Sequence, residues 1–339
     1  MRLAVRGIKD ADVDALLAFC AQMYGKASYQ SSRSYLEWLY LANPSSRGLE
    51  DCIGAFAEGQ LVGCVHRMRL PCVAGDETLS LASLQNHVVE PSLRAGAGVL
   101  LLQRATKGEQ FSLSPGVHGR LGEAYRRLGY DELPSYWLVR VLRPLAAVTQ
   151  RGVRTMTRDR WPTPHLRLTG RALHRIGRGS LSLTADPNEI QLVRLAEGLV
   201  SQSRERSEAY VPWDPALVRW RFFSPLGPKH VFVERRGAGA WALLSYGVKS
   251  RINVVRLLDH DSRGDSSFVN DVMRAVRRVG AAVALAYTTR RERKNELLAG
   301  GWRLRGDSPA SFVKGGSRLS VGGAATDLGF EALLTEVTA

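Results

Sequence analysis

Apolar positions along this chain follow two periods, and the switches between them outline its elements. Residues Arg2 to Ile8 read as a short strand. Asp10 is placed to cap a helix in which Val13, Leu16, Leu17, Cys20 and Tyr24 recur at helical spacing. A second helix carries Tyr35, Trp38 and Leu39 and ends at Asn43-Pro44. Cys52 to Phe56 and Leu61 to Met68 flank Glu58-Gly59, which predicts a hairpin. Leu79 to Val89 reads as a further strand. Gly96 and Gly98 break it, and Val99-Leu100-Leu101-Leu102 opens an apolar helix. Gln110 to Leu113 predicts a short strand, Leu121 to Leu128 a helix stopped by Gly129, and Ser135 to Leu142 a last strand. The order β-α-α-β-β-β-α-β-α-β fits an α/β domain with a mixed sheet.

The second half repeats this order. Tyr35-Leu36-Glu37-Trp38-Leu39-Tyr40 before Asn43-Pro44 has a counterpart in Leu217-Val218-Arg219-Trp220-Arg221-Phe222 before Ser224-Pro225. A hairpin follows each, Ile53 to Met68 and His230 to Val248, the latter turning at Gly237-Ala238-Gly239. Strands at Leu79 to Val89 and Ile252 to Asp259 come next, then helices from Val99 and from Ser267 to Val279. Short strands at Gln110 to Leu113 and Ala281 to Ala286 correspond. Both halves close on glycine and an aromatic: Gly129-Tyr130 and Gly301-Trp302. Two copies of one fold account for this more simply than a solenoid. The matched aromatics Trp38, Tyr40, Trp220 and Phe222 are expected to pack in a core or between copies rather than to stack on nucleic-acid bases. Expected boundaries are 1–143 for the first domain, 144–187 for a linker, 188–316 for the second domain and 317–339 for a tail. The fold class is α/β (α+β): two tandem domains, each a mixed, mostly antiparallel sheet flanked by helices.

Composition narrows the class. The 339 residues are 45% hydrophobic, which excludes disorder as a description of the whole chain. Apolar runs are short and no signal-peptide core follows the N-terminus, so a soluble cytoplasmic protein without a transmembrane segment is expected. The four cysteines, Cys20, Cys52, Cys64 and Cys72, form no C-x-x-C pair. His66 beside Cys64 is the nearest approach to a zinc pair; buried thiols and no metal are expected. The net charge is +15. From Arg140 to Arg178 there are ten arginines and one acid, Asp159, which is +9 of that total. Pro144 can start a helix there, with Leu145, Val148, Val153 and Met156 on one face and Arg151, Arg154 and Arg158 on the other. That face can meet a phosphorylated acceptor, an acidic partner or only water.

The run Val88-Val89-Glu90-Pro91-Ser92-Leu93-Arg94-Ala95-Gly96-Ala97-Gly98-Val99 joins a strand, a glycine-containing turn and a helix start. Glycines let a backbone approach a pyrophosphate, and free amides at a helix start point at it. This run resembles motif A of the GNAT acyltransferase superfamily, R/Q-x-x-G-x-G/A, with Val89, Pro91 and Arg94 matching its lead-in. From Arg94 the spacing is one residue short. Glu123-Ala124-Tyr125-Arg126-Arg127-Leu128-Gly129-Tyr130 resembles motif B, A-x-x-x-Y-x-x-x-G-F. In the second copy the corresponding Asp259 to Asp265 lacks the double glycine and carries three acids, which would repel a pyrophosphate.

The two-copy arrangement is similar to the tandem GNAT type that includes sugar N-acyltransferases. The resemblance implies an N-acyltransferase whose co-substrate is acyl-CoA, acetyl-CoA or longer, held by Val88, Val89, Arg94, Ala95, Gly96, Ala97, Gly98 and Val99 of the first copy. It implies Tyr125 as the acid for the departing thiolate, although a tyrosine there also fits simple helix packing. The acceptor amine must lose a proton, and His87 and His118 are the candidate bases, ahead of Glu123; each also fits a structural role. A small-molecule amine, best a nucleotide-linked amino sugar, is the expected acceptor. Two alternatives stay open: an acyl carrier protein as donor with a peptide or natural-product amine as acceptor, and a non-catalytic module that binds through the basic linker. With Trp161 as its one interleaved aromatic and no groove-reading motif, the linker ranks nucleic acid last.

Overall fold

The computed structural model describes residues 3–26, 28–117, 121–144, 181–204, 209–249, 252–306 and 310–315. His118, the linker from Leu145 to Ser180 and the tail from 316 onward lie outside them. Among the described residues no helix is long and apolar enough to cross a membrane.

The chain forms two units. The first draws on 1–134, 203–227 and the strand at 310–315; the second draws on 135–202 and 228–308. In the first unit β1 (Leu3–Gly7), β2 (Cys52–Ala57), β3 (Gln60–Ala74), β4 (Glu77–Val89) and β5 (Phe111–Val117) run in sheet order, followed by β15 (Ala310–Gly315) and β6 (Asp131–Leu133). Pairing is antiparallel throughout, except that β4 and β5 run parallel. One sheet face carries α3 (Arg94–Thr106) over a core of Ala55, Val65, Leu84, Leu101, Leu102 and Phe312, into which Tyr125 of α4 (Leu121–Arg127) also packs. α1 (Val13–Tyr24) buries Val13, Leu16, Phe19 and Cys20. The α2 segment (Arg33–Leu36) continues as a π-helical turn to Leu41 and buries Tyr35, Trp38 and Tyr40.

In the second unit the sheet order is β14 (Arg303–Leu304), β7 (Tyr136–Val141), β13 (Val283–Thr288), β12 (Ile252–Asp261), β11 (Trp241–Lys249), β10 (His230–Arg235) and β8 (Leu181–Thr184). β12 and β13 are its parallel pair. α5 (Glu189–Arg204), α7 (Phe268–Arg278) and α8 (Arg291–Ala299) complete it. α7 turns Phe268, Val272, Met273 and Val276 into a core with Val255 and Leu257. α6 (Pro215–Phe223), capped by Asp214 accepting from the Leu217 amide at 2.7 Å, belongs to the first unit.

Most expected elements form. The hairpin turns at Glu58 and Gly59, both left-handed, at φ 50 and 83, as its two-residue loop requires. Four features differ. Asp10 does not cap α1; Asp12 does the local work, accepting from the Lys9 amide at 2.9 Å and pairing with Arg6 at 2.6 Å. Helix α3 starts at Arg94 and takes Gly96 and Gly98 inside it, because Pro91–Leu93 already supply the turn. The strands β6, β8, β9 (Ala209–Tyr210, paired with β3), β14 and β15 and the helix α5 are additional. Finally, the strand at 136–141 pairs with β13, and the strand at 310–315 pairs with β5. Each sheet therefore takes one strand from the other half's stretch of sequence, and the contact units change over at 134/135 rather than at 143.

Trp38 and Trp220, the matched tryptophans, stack in the first unit with centroids 5.7 Å apart and planes at 22°. Each indole donates to the other's backbone carbonyl: Trp38 Nε1 to Trp220 O at 3.1 Å, and Trp220 Nε1 to Trp38 O at 2.7 Å. The reciprocal geometry is that of two equivalent helices packed on one another.

Candidate active site

β4 and β5 pair over only Leu81–Ser83 against Phe111–Leu113. Beyond that, 84–89 and 114–117 remain strand, yet their facing edges do not pair with each other. A gap thus opens at the carboxyl ends of two parallel strands, a common position for ligands in α/β sheets. The cause is visible in β4. Cys64 pairs with Val88 but His66 pairs with Gln85, so β4 carries one extra residue. Asn86 takes up this bulge in the left-handed region, at φ 50, a conformation asparagine tolerates better than most residues. Its Nδ2 donates to the Tyr35 hydroxyl at 2.6 Å.

Helix α3 starts five residues after β4 ends, and its first-turn amides have no intrahelical acceptor. Gly96 is exposed, and a Cβ added there would meet nothing within 4 Å. An anion therefore has room to approach the backbone at that turn. Gly98 is buried, and its added Cβ would touch His87 and Val89 at 3.7 and 3.8 Å. Val89 is buried, while Val88 and Val99 are half-buried. The segment Val88 to Val99 runs from the end of β4 through the turn into the first turns of α3.

His87 stands against α3 with both ring nitrogens buried and unpartnered. Burial lowers its pKa to about 4, with the Gly98 backbone opposing only in part. The imidazole is neutral across the physiological range. Tyr125 is fully buried, with its ring against Tyr130 and Phe312. Ser114, on the β5 edge of the gap, donates to its hydroxyl at 2.6 Å. Burial holds the phenol above its usual range, and the Ser114 bond only partly offsets this. Glu123 lies on the same short helix. A separate 230 Å³ hollow, walled by Asp10, Asp14, Arg33 and Glu37 among others, includes no residue of 84–99.

The second unit builds the same frame and fills it. β12 and β13 pair over Val254–Leu257 against Val283–Ala286, and β12 also bulges, since Leu243 pairs with Asp259 and Leu244 with Leu257. Beyond the pairing stands a buried ion cluster. Asp259 accepts from Arg293, lies 3.8 Å from Arg290, and bonds the His260 amide at 2.8 Å. Arg293 also donates to the His260 carbonyl at 2.6 Å, and His260 meets Glu296 at 3.3 Å. Asp259 was legible in the sequence as one of three acids in a stretch that lacks the double glycine. Its partners Arg290 and Arg293 were not, because they come from the turn and helix after the next strand.

No family model and no curated protein sequence matches this chain. Solved structures do. A GCN5-related N-acetyltransferase from Anabaena variabilis superposes with a TM-score of 0.57 at 12% identity, covering 92% of this chain and 72% of that one. The fold is the GNAT fold. Saccharomyces cerevisiae N-myristoyltransferase with bound myristoyl-CoA gives 0.58 at 11% identity, over 92% and 82% of the two chains. An Enterococcus faecalis protein described as a probable N-acyltransferase gives 0.55 at 9%, over 93% and 72%. At these identities the GNAT likeness concerns architecture, so the chemistry rests on the residues.

Proposed function

We propose that this chain is an N-acyltransferase that takes an acyl group from acyl-CoA at the first copy's β4–β5 gap and passes it to an amine. The observation that carries this reading is the contrast between copies. In the first, the unpaired strand ends lead to a helix start with an exposed glycine, Gly96; in the second, the place beyond the pairing holds buried Asp259, Arg290 and Arg293. The amides of Arg94, Ala95, Gly96 and Ala97 hold the pyrophosphate, and the free β4 edge around Val88 and Val89 lines the thioester arm. The amine attacks the thioester carbonyl carbon, the C–S bond breaks, and the thiolate leaves. Tyr125, its phenol weakened as an acid by burial, serves the thiolate as a hydrogen-bond donor through the Ser114 side of the gap. His87 and His118 are the candidate bases for the amine's proton; burial keeps His87 neutral but weakens it as a base, so a water must carry the proton to its ring. The ten arginines of 140–178 favour a phosphorylated acceptor, a nucleotide-linked amino sugar.

The test is thermal stability with acetyl-CoA and longer acyl-CoAs, followed by thiol release with amine acceptors. Binding at about 100 Kd raises stability by roughly 2.7 kcal/mol. If no acyl-CoA shifts the transition and no thiol appears, the reading fails. A shift with an acyl carrier protein alone moves the donor to that class.

A further inference from the structure

Behind the bulged strand, on the sheet face opposite α3, lies a cluster that the acyl-transfer reading does not use. Cys20 of α1 and Cys64 and His66 of β3 are all fully buried. One ligand atom from each lies within 4.8 Å of the other two. Cys52 of β2 is buried as well and is the direct cross-strand partner of His66. Three thiols and an imidazole thus converge from three elements in a place water does not reach.

We propose that Cys20, Cys64, His66 and Cys52 form a structural zinc site. Zinc takes Cys and His ligands at about 2.3 and 2.0 Å, so tetrahedral geometry separates sulfurs by roughly 3.8 Å and sulfur from nitrogen by roughly 3.6 Å. Cys64 Sγ stands 4.0 Å from His66 Nε2. Side-chain movements of about 1 Å bring Cys20, Cys64 and His66 to these separations, and Cys52, beside His66 on the next strand, supplies the fourth ligand by turning toward them. The orientation of His66 fits as well. Its Nδ1 is 2.6 Å from the Tyr40 hydroxyl, and the two rings stack at 16°. With the proton on Nδ1 donated to Tyr40, the Nε2 lone pair faces the sulfurs, the arrangement that holds a metal-bound histidine in one tautomer. Each cysteine releases its proton to solvent as its sulfur lone pair forms the Zn–S bond. No residue changes oxidation state.

The placement gives the site a purpose. Cys64 pairs with Val88, and His66 with Gln85, on either side of the β4 bulge. A metal joining α1, β2 and β3 would stiffen the strand that backs the gap. Nothing in this inference depends on what binds there, and metal content is measured without activity.

Metal analysis of the full-length chain, purified without chelator, is expected to give one zinc per chain that survives dialysis against EDTA and is released by a mercurial. Cobalt exchange should give thiolate-to-cobalt charge-transfer absorption. Cys64→Ser and His66→Ala should lose most of the zinc. Cys72→Ser, at a buried cysteine of the same strand outside the cluster, should keep it. Because the cluster is buried, Cys20→Ser is examined alongside by circular dichroism, and a folded variant with less than about a tenth of the zinc supports the site. Wild-type protein that holds no zinc after incubation with excess metal overturns the proposal. So does equal zinc loss from Cys72→Ser and Cys64→Ser, or a different metal held by the same residues.

Discussion

The two sheets are built on one plan and differ in where each keeps its buried charge. In the first, Arg67 and Arg69 of β3 meet Asp51 and Glu109 at 2.7–3.2 Å, with Ser80 beside them. That network sits before the β4–β5 pairing begins, at the closed end of the parallel strands. In the second, Asp259, Arg290 and Arg293 sit after the pairing ends, where the first has no ion pair among the described residues. Both copies retain the bulge that splays the strands. A duplicated fold can thus keep its frame while the buried charge moves from one end of the parallel pair to the other. Such a cluster is compatible with a stable core only when every charge is matched, because unpaired buried charge is costly.

The contrast can be broken most severely at Asp259. Asp259→Ala leaves Arg293 and Arg290 buried without their carboxylate and is expected to cost about 3–5 kcal/mol, read by urea unfolding. A variant as stable as the parent would mean that the cluster does not hold the second gap closed.

The next effect belongs to His87. Its folded pKa, about 4, lies below the 6.5 of the unfolded chain. The unfolded state therefore binds the extra proton between those values. The contribution is complete above pH 6.5 and is lost as pH falls toward 4, by up to about 3 kcal/mol. His87→Leu should flatten unfolding free energy between pH 7 and 4.5; an unchanged slope would place the acid sensitivity elsewhere.

Tyr125→Phe removes the Ser114 bond and is expected to cost about 1 kcal/mol of stability. Turnover should fall while donor binding holds; unaltered turnover would leave Tyr125 a packing residue only.

The smallest stability change carries an opposite sign for binding. Gly96→Asp replaces a helical glycine and puts an anion on the N-terminal turn of α3, so the fold should gain roughly 0.5–1 kcal/mol. The same charge should weaken acyl-CoA binding about tenfold or more, measured by titration calorimetry. Loss of stability together with unchanged affinity would remove that turn from the donor site.

Much of the molecule could be read without coordinates. Helices and strands came from side-chain periods that neighbouring residues impose on each other. The duplicated order, the Glu58-Gly59 hairpin and the approach of Val88–Val99 to a helix start were local features of that kind. The interior extent of α3 was less legible, since glycines in a first helical turn look the same as glycines in a loop. The exchange of β7 and β15 between sheets lay beyond any window, because a six-residue strand does not state which edge it will join. Cys20, Cys52, Cys64 and His66 are strung over 47 positions, and no spacing rule links them. Only packing α1 on the β2–β3 hairpin brings them within reach. Local sequence carried the repeated element order and the glycine-containing segment that runs from β4 into α3. Tertiary structure decided which strands complete each sheet, which gap is filled and where the thiols meet. Those outcomes depend on contacts between residues distant in the chain, and only the closed fold assigns them.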